Sequence, residues 1–310
     1  MSPRTLRIAT RKSALALWQA GHVAERLRAL APARPVELLP LVTQGDRTLD
    51  TSLVQAGGKG LFIKELETAL ADGRADLAVH SMKDVPVALP QGFVIAAVLE
   101  REDARDAFVS RRWPSLTALP PGARVGSSSL RRECQLRHQR PDLKLQPLRG
   151  NVDTRLRKLE RGEYDAVVLA VAGLKRLGLA HTISSVLEPE ICLPAIAQGT
   201  IGIECRADNR EILDLLMPLN HAPTWQRMLA ERALNRGLSG SCQLPVAGYA
   251  ELQNGGALRL RGCVGPPDGS RLIAGETSGP ATRAEELGLR LAQDLLARGA
   301  ADVLRRVSEA

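Results

Sequence analysis

Through its first two-thirds the chain alternates short apolar runs with helical stretches, and the apolar runs open into loops rich in Gly, Ser or basic residues. Residues 6–9, 36–42, 77–80 and 94–99 read as strands, the second broken by Pro40. Ser13 can cap a helix whose apolar positions Leu17, Ala20, Ala24, Leu27 and Leu30 recur at three- and four-residue spacing. A glycine-rich stretch at 57–60 leads into a helical run over 61–71. Residues 107–109, 124–126, 143–145 and 166–170 repeat the strand pattern, with helices at 130–139 and 152–161. Such alternation predicts an α/β architecture built on mostly parallel sheets. Sheets of that kind take ligands at the carboxyl ends of their strands. Residues 200–205 form a later β-rich run. From about His221 the order changes to a helix (224–236), short strands (246–252, 258–264, 271–275) and a closing helix (281–297). That order predicts a small α+β domain with an antiparallel sheet.

Composition narrows the class. With 310 residues, 44% of them hydrophobic and 25% charged, the chain fits an ordinary globular protein and not a disordered or collagenous one. No apolar run approaches the ~18–20 residues of a membrane helix. Arg4 and Arg7 come early with no apolar segment behind them, so no secretory signal and no membrane partner are expected. The five cysteines are far apart and form no C-x-x-C pair, which favours reduced thiols in a cytoplasmic protein.

The net charge of +8 is concentrated. Between Arg124 and Lys158 ten basic residues face only Glu133, Asp142 and Asp153, so that stretch alone carries +7. A local basic patch implies an anionic partner. Phe, Trp and Tyr together number only eight, and none lies in the patch, so stacking platforms for single-stranded nucleic acid are missing. The excess is nearly all Arg, which suits bidentate recognition of carboxylate or phosphate.

Four segments can carry chemistry. Arg11, Lys12 and Ser13 stand between a strand and a helix, where free N–H groups bind anions; an ordinary cap with solvated neighbours is the simpler alternative. Lys83 and Asp84 follow the strand at 77–80 and are stopped by Pro86. An acid at a strand's carboxyl end can act as general acid or base, or stabilise a developing cation; an exposed ion pair in a turn is the alternative. Ser127–Ser129 with Arg131 and Arg132, echoed by Arg149, Asn151 and Arg155, place hydroxyls and arginines at strand-to-helix junctions. Finally, Cys242 lies among Gly and Ser, which let another group approach closely, whereas Cys134, Cys192, Cys205 and Cys263 sit in apolar or helical settings. The histidines show no metal-like spacing, and no metal is expected.

Taken in order, these segments resemble the porphobilinogen deaminase (hydroxymethylbilane synthase) family. The resemblance rests on Leu-Arg-Ile-Ala-Thr-Arg from Leu6, Gly-Gly-Lys-Gly-Leu-Phe from Gly57, and Ala-Val-His-Ser-Met-Lys-Asp-Val-Pro from Ala78. It continues in Ser-Ser-Leu-Arg-Arg from Ser128, Leu-Arg-Gly-Asn-Val from Leu148 and Leu-Ala-Val-Ala-Gly-Leu-Lys-Arg-Leu-Gly from Leu169. Ala197 and Ser241 depart from it, each standing where glycine is expected.

The resemblance implies two periplasmic-binding-protein-like α/β domains with a cleft between them and a small C-terminal α+β domain. Domain 1 would span 1–99 and 200–217, domain 2 would span 105–193, hinges would lie at 100–104 and 194–199, and domain 3 would span 222–310. It implies a transferase that condenses four porphobilinogen molecules head to tail, with loss of ammonia, into hydroxymethylbilane. The primer would be a dipyrromethane cofactor joined by a thioether to Cys242. Asp84 would be catalytic. Arg11, Ser13, Lys83, Ser129, Arg131, Arg132, Arg149, Arg155 and Arg176 would bind cofactor and substrate carboxylates, and the glycine-rich setting of Lys59 suits a lid. The enzyme would be a cytoplasmic monomer that hands its product to uroporphyrinogen-III synthase. A noncatalytic carboxylate-binding protein, and a nucleic-acid-binding protein using residues 124–158, are the competing classes.

Overall fold

The computed structural model describes residues 4–47, 63–239 and 244–309. The first elements are β1 (Leu6–Arg11), α1 (Ala14–Leu30), β2 (Val36–Leu41), α2 (Gln44–Arg47), α3 (Lys64–Ala71), β3 (Leu77–Ser81) and β4 (Phe93–Val98). Next come β5 (Asp106–Val109), β6 (Arg124–Gly126), α4 (Leu130–Gln139), β7 (Lys144–Gln146), α5 (Val152–Glu160), β8 (Ala166–Ala170), α6 (Val171–Arg176) and β9 (Ser185–Leu187). They are followed by β10 (Ile201–Arg206), α7 (Arg210–Leu216) and α8 (Ala222–Gly237). The chain ends with β11 (Val246–Leu252), β12 (Ala257–Val264), β13 (Ile273–Pro280), α9 (Ala284–Leu295) and α10 (Ala301–Glu309). Two compact units result: residues 1–101 with 200–225, and residues 102–199 with 226–310.

The first unit holds a five-stranded sheet in the order β2-β1-β3-β10-β4. β1 pairs in parallel with β2 and β3, whereas β10 runs antiparallel to both β3 and β4. One strand is therefore reversed in an otherwise parallel sheet. Helix α1 starts where the Ser13 side chain accepts the Ala16 N–H, and it buries Ala20, Val23, Ala24 and Leu27 against Leu6, Ile8, Val79 and Ile203. Val23 and Leu27 each contribute ~1.5–3 kcal/mol when fully buried. On the opposite face α3 packs Leu66, Ala69 and Leu70 onto Ala9 and Ala78. The sequence pattern broke the second strand at Pro40, but β2 runs through it, with Pro40 in register with Thr10. β2 is an edge strand, where a missing N–H leaves no ladder bond unmade.

The second unit repeats this plan in the order β7-β6-β8-β5-β9, with β5 as the reversed strand. The same unit contains a three-stranded antiparallel sheet, β11-β12-β13, covered by α9 through Leu287, Leu291 and Leu295. The α/β expectation and the small α+β C-terminal part are both met. Strand β13 lies at 273–280 and not at 271–275, and α10 follows a break at Gly299, whose φ is 98°. Among the described residues no helix is long and apolar enough to cross a membrane, and no group of three His, Cys, Asp or Glu side chains could hold a metal.

Candidate active site

In the first unit the parallel neighbours β1 and β3 deliver their carboxyl ends to one sheet edge. β1 ends on Arg11, and Ser13 follows as the cap of α1. Thr10 Oγ1 donates to the Ala16 carbonyl at 3.1 Å, which ties this turn to the helix it starts. β3 ends on Ser81 and passes into a single 3-10 turn, Met82–Asp84. Gln19 of α1 donates to Ser81 Oγ at 2.9 Å, and the Met82 N–H donates to the Thr200 carbonyl at 3.0 Å. The turn is thus held on both sides, and it presents Lys83 and Asp84 half-buried. Asp84 makes no hydrogen bond or ion pair with any described residue, Lys83 included. The simple ion-pair explanation of this acid is therefore not realised.

In the second unit the adjacent parallel strands β7, β6 and β8 open three loops on one edge. Ser128 Oγ donates to the Leu148 carbonyl and accepts the Leu148 N–H, both at 2.9 Å, which joins the first two loops. Ser129 begins α4 without using its hydroxyl as a cap. Asn151 caps α5 by accepting the Thr154 N–H at 2.9 Å, and Arg155 Nε donates to the Gly150 carbonyl at 2.8 Å. Gly150 has φ 107°, and a Cβ there would come within 2.7 Å of Thr154 Cγ2, so glycine is required. Arg149 is half-buried and makes no hydrogen bond or ion pair with any described residue. Arg176 ends α6 and donates to the Gly199 carbonyl at 2.7 Å. Burial lowers its guanidinium to about 10, with the Glu102 charge acting in the opposite direction.

Arg131 and Arg132 behave differently. Both are buried, and each donates to a different oxygen of fully buried Asp106, at 2.8 and 2.7 Å. Arg131 also reaches the Leu193 carbonyl at 2.6 Å, and Arg132 the Val168 carbonyl at 2.9 Å. Burial works to raise the Asp106 carboxyl, but the two guanidiniums outweigh it and hold it well below the usual carboxylate range. Gln198 adds a third donor to Asp106 at 2.9 Å. Two cations against one anion leave the cluster with one net positive charge.

Ala197, where glycine was expected, has φ 55°, a left-handed conformation that costs a side-chain-bearing residue ~1–2 kcal/mol. Its N–H is held by buried Glu231 at 2.6 Å. Cys242, Ser241 and Lys59 lie outside the described residues.

Comparison with known proteins decides the family. Residues 6–214 match the family described as porphobilinogen deaminase, dipyromethane cofactor binding domain, and residues 225–297 match porphobilinogen deaminase, C-terminal domain. The chain belongs to the porphobilinogen deaminase family. It is therefore a hydroxymethylbilane synthase, a transferase of tetrapyrrole biosynthesis, and it contains the family's dipyrromethane cofactor-binding domain. Among solved structures it resembles an ABC-transporter periplasmic substrate-binding protein from Coxiella burnetii, with 16% identity over 71% of this chain and 93% of that one, TM-score 0.44. A putative methionine-binding lipoprotein from Bacillus subtilis is similar at 16% identity over 71% and 90%, TM-score 0.43. The donors present do fit a porphobilinogen deaminase cofactor bearing several carboxylates. Arg149 has no counterion among the described residues, and Arg176 is a cation disfavoured by its own burial, so an anion would stabilise both.

Proposed function

We propose that this chain condenses four porphobilinogen molecules head to tail into hydroxymethylbilane, with one ammonia lost per unit, and that Asp84 is the catalytic carboxylate. The observation that carries this reading is the Asp84 carboxylate itself. It is set by a braced turn at the end of β3, beside the end of β1, and no described residue forms a hydrogen bond or ion pair with it.

The chemistry asks for such a group. When ammonia leaves the aminomethyl carbon of porphobilinogen, positive charge develops on that carbon and spreads to the pyrrole nitrogen. A fixed carboxylate can accept the pyrrole N–H and stabilise the charge, and one preorganised electrostatic partner is worth a hundredfold to a thousandfold in rate. The dipyrromethane, when bound, supplies the pyrrole end from which the product chain grows. In this reading Cys242 anchors it through a thioether within a third domain of residues 222–310. Each pyrrole brings an acetate and a propanoate. Arg11, Ser13 and Lys83 in the first unit, and Ser129, Arg149, Arg155 and Arg176 in the second, hold these carboxylates, each charge-assisted bond contributing ~1.5–3 kcal/mol. Arg131 and Arg132 act as a buried pair whose surplus charge adds to the field at the same sheet edge. The enzyme works as a cytoplasmic monomer and passes its product to uroporphyrinogen-III synthase.

The test is the turnover of Asp84→Asn, after circular dichroism shows that it folds. Loss of at least a hundredfold is expected, with Asp84→Glu slow but measurable and accumulating adducts in steps of one porphobilinogen less ammonia. Near-normal turnover by Asn would remove Asp84 from the chemistry.

A further inference from the structure

Strand β10 carries a carboxylate where its neighbours are apolar: Glu204 lies fully buried between Ile203 and Cys205. Across the strand pair, Gly202 faces His80 and Glu204 faces Ala78, so His80 and Glu204 meet diagonally on one face. His80 Nε2 comes within 2.7 Å of Glu204 Oε2, with the side chains 4% and 0% exposed. Ala78 packs beneath α3, so this is the face that α3 covers. Helix α3, which covers this face, carries buried Glu67, whose carboxyl feels the charges of both Glu204 and His80.

The three side chains are poorly satisfied. The His80–Glu204 contact is close but not aligned as a directed hydrogen bond, and Glu204 Oε1 and Glu67 Oε1 also have no hydrogen-bond partner among the described residues. Buried polar atoms ordinarily find one. Burial, together with the charge of Glu204, pushes Glu67 up to about 7, against a smaller opposing effect of His80. Among the described residues, the charges named as acting on Glu67 are those of Glu204 and His80. Of the other elements packed here, β1 presents Ala9 and β4 presents Phe93. Cys205, the next titratable group along β10, is itself pushed up to about 11 by burial.

From His80 the strand continues through Ser81 into the Met82–Asp84 turn. We propose that Glu67, His80 and Glu204 are positioning residues for Asp84: they clamp β3 to β10 and α3, and the clamp loosens when Glu67 ionises. This rests on the reading of Asp84 given above. While Glu67 is neutral, a single carboxylate faces the imidazole. Once it ionises, a second negative charge enters the dry interior beside Glu204, and like charges there repel without solvent to screen them. α3 is then driven from the strand it covers, and the turn that sets the Asp84 carboxylate loses its support.

Amide hydrogen exchange of the wild-type chain, corrected for the intrinsic rate, tests this directly. A carboxyl titrating at about 7 when buried and about 4.5 when exposed makes opening of this cluster about tenfold easier at pH 8 than at pH 6. That rise is expected at residues 77–84 and should vanish in Glu67→Gln. In the same variant the kcat profile should lack a titration near neutral pH, while KM stays unmoved. Unchanged wild-type protection between the two pH values, or superimposable kcat profiles, overturns the proposal. If Glu67→Gln does not fold, the wild-type exchange decides alone. A fully active Asp84→Asn would sink the Asp84 assignment while leaving the exchange result standing, so the two failures are distinguishable.

Discussion

Asp106 and Arg131 are joined at 2.8 Å in a place where neither reaches solvent, and the second oxygen of the same carboxylate holds Arg132. The arrangement fastens the start of α4 to the start of β5, and Gln198 ties the 197–199 segment to the same point.

Removing that charge should be costly. Asp106→Asn leaves two buried guanidiniums without a counterion, and breaking a buried pair in this way typically costs 3–5 kcal/mol. Urea denaturation followed by circular dichroism should show a loss of about that size. A loss below ~1 kcal/mol would mean that the arginines find other partners, and that the pair is less fixed than its geometry implies.

Cys242 is expected to carry the primer. Purified wild-type protein should be heavier than its sequence by two porphobilinogen units less two ammonia molecules, and Cys242→Ala should have the sequence mass and no activity. Intact mass spectrometry reads both. Unmodified, fully active wild type would rule the attachment out.

Gly202 sits opposite His80, and a Cβ there would overlap Met82 Sδ. Met82 opens the turn that carries Asp84. Its side chain can shift, so Gly202→Ala should cost only ~1–3 kcal/mol of stability. The turn would shift with it, and displacement by ~1 Å can cost on the order of a hundredfold in rate. The expected signature is a folded variant with kcat depressed far more than its melting temperature suggests. Normal kcat would separate the turn's position from catalysis.

Arg149 has no protein partner among the described residues, so its loss should leave the fold intact. Stability of Arg149→Leu is expected within ~0.5 kcal/mol of wild type. Product formation should drop, with shortened intermediates or unprimed protein visible by mass. Wild-type rates in a folded variant would take Arg149 out of the carboxylate set.

Much of this was legible in the sequence because it is local. Strands β6 and β8 and helix α4 lie where hydrophobic alternation and junction residues put them. The Gly150 and Asn151 turn chemistry is likewise written in neighbouring residues. The fate of Arg131 and Arg132 was not. Their place at a strand-to-helix junction is local, but the residue that holds them, Asp106, lies on β5. Glu67, His80 and Glu204 were missed for the same reason, since α3, β3 and β10 meet only in the folded unit. One signal was available: Glu204 interrupts an otherwise apolar strand, and a buried carboxylate demands a partner. Pro40 misled because the rule that proline stops a strand loosens at a sheet edge.

The sheet order of the first unit also dictates how the chain can assemble as it leaves the ribosome. β4 has a single neighbour, β10, and the two are separated by residues 99–200. A nascent chain that has emerged only through Val98 offers β4 nothing to pair with and leaves one flank of β3 open. All the strands of the second five-stranded sheet, ending at Leu187, are synthesised before Ile201 appears. For the two five-stranded sheets, the usual order, in which the N-terminal part folds first during synthesis, can therefore be inverted. The middle of the polypeptide can close its sheet while the strand bearing the Asp84 turn still waits for its last neighbour.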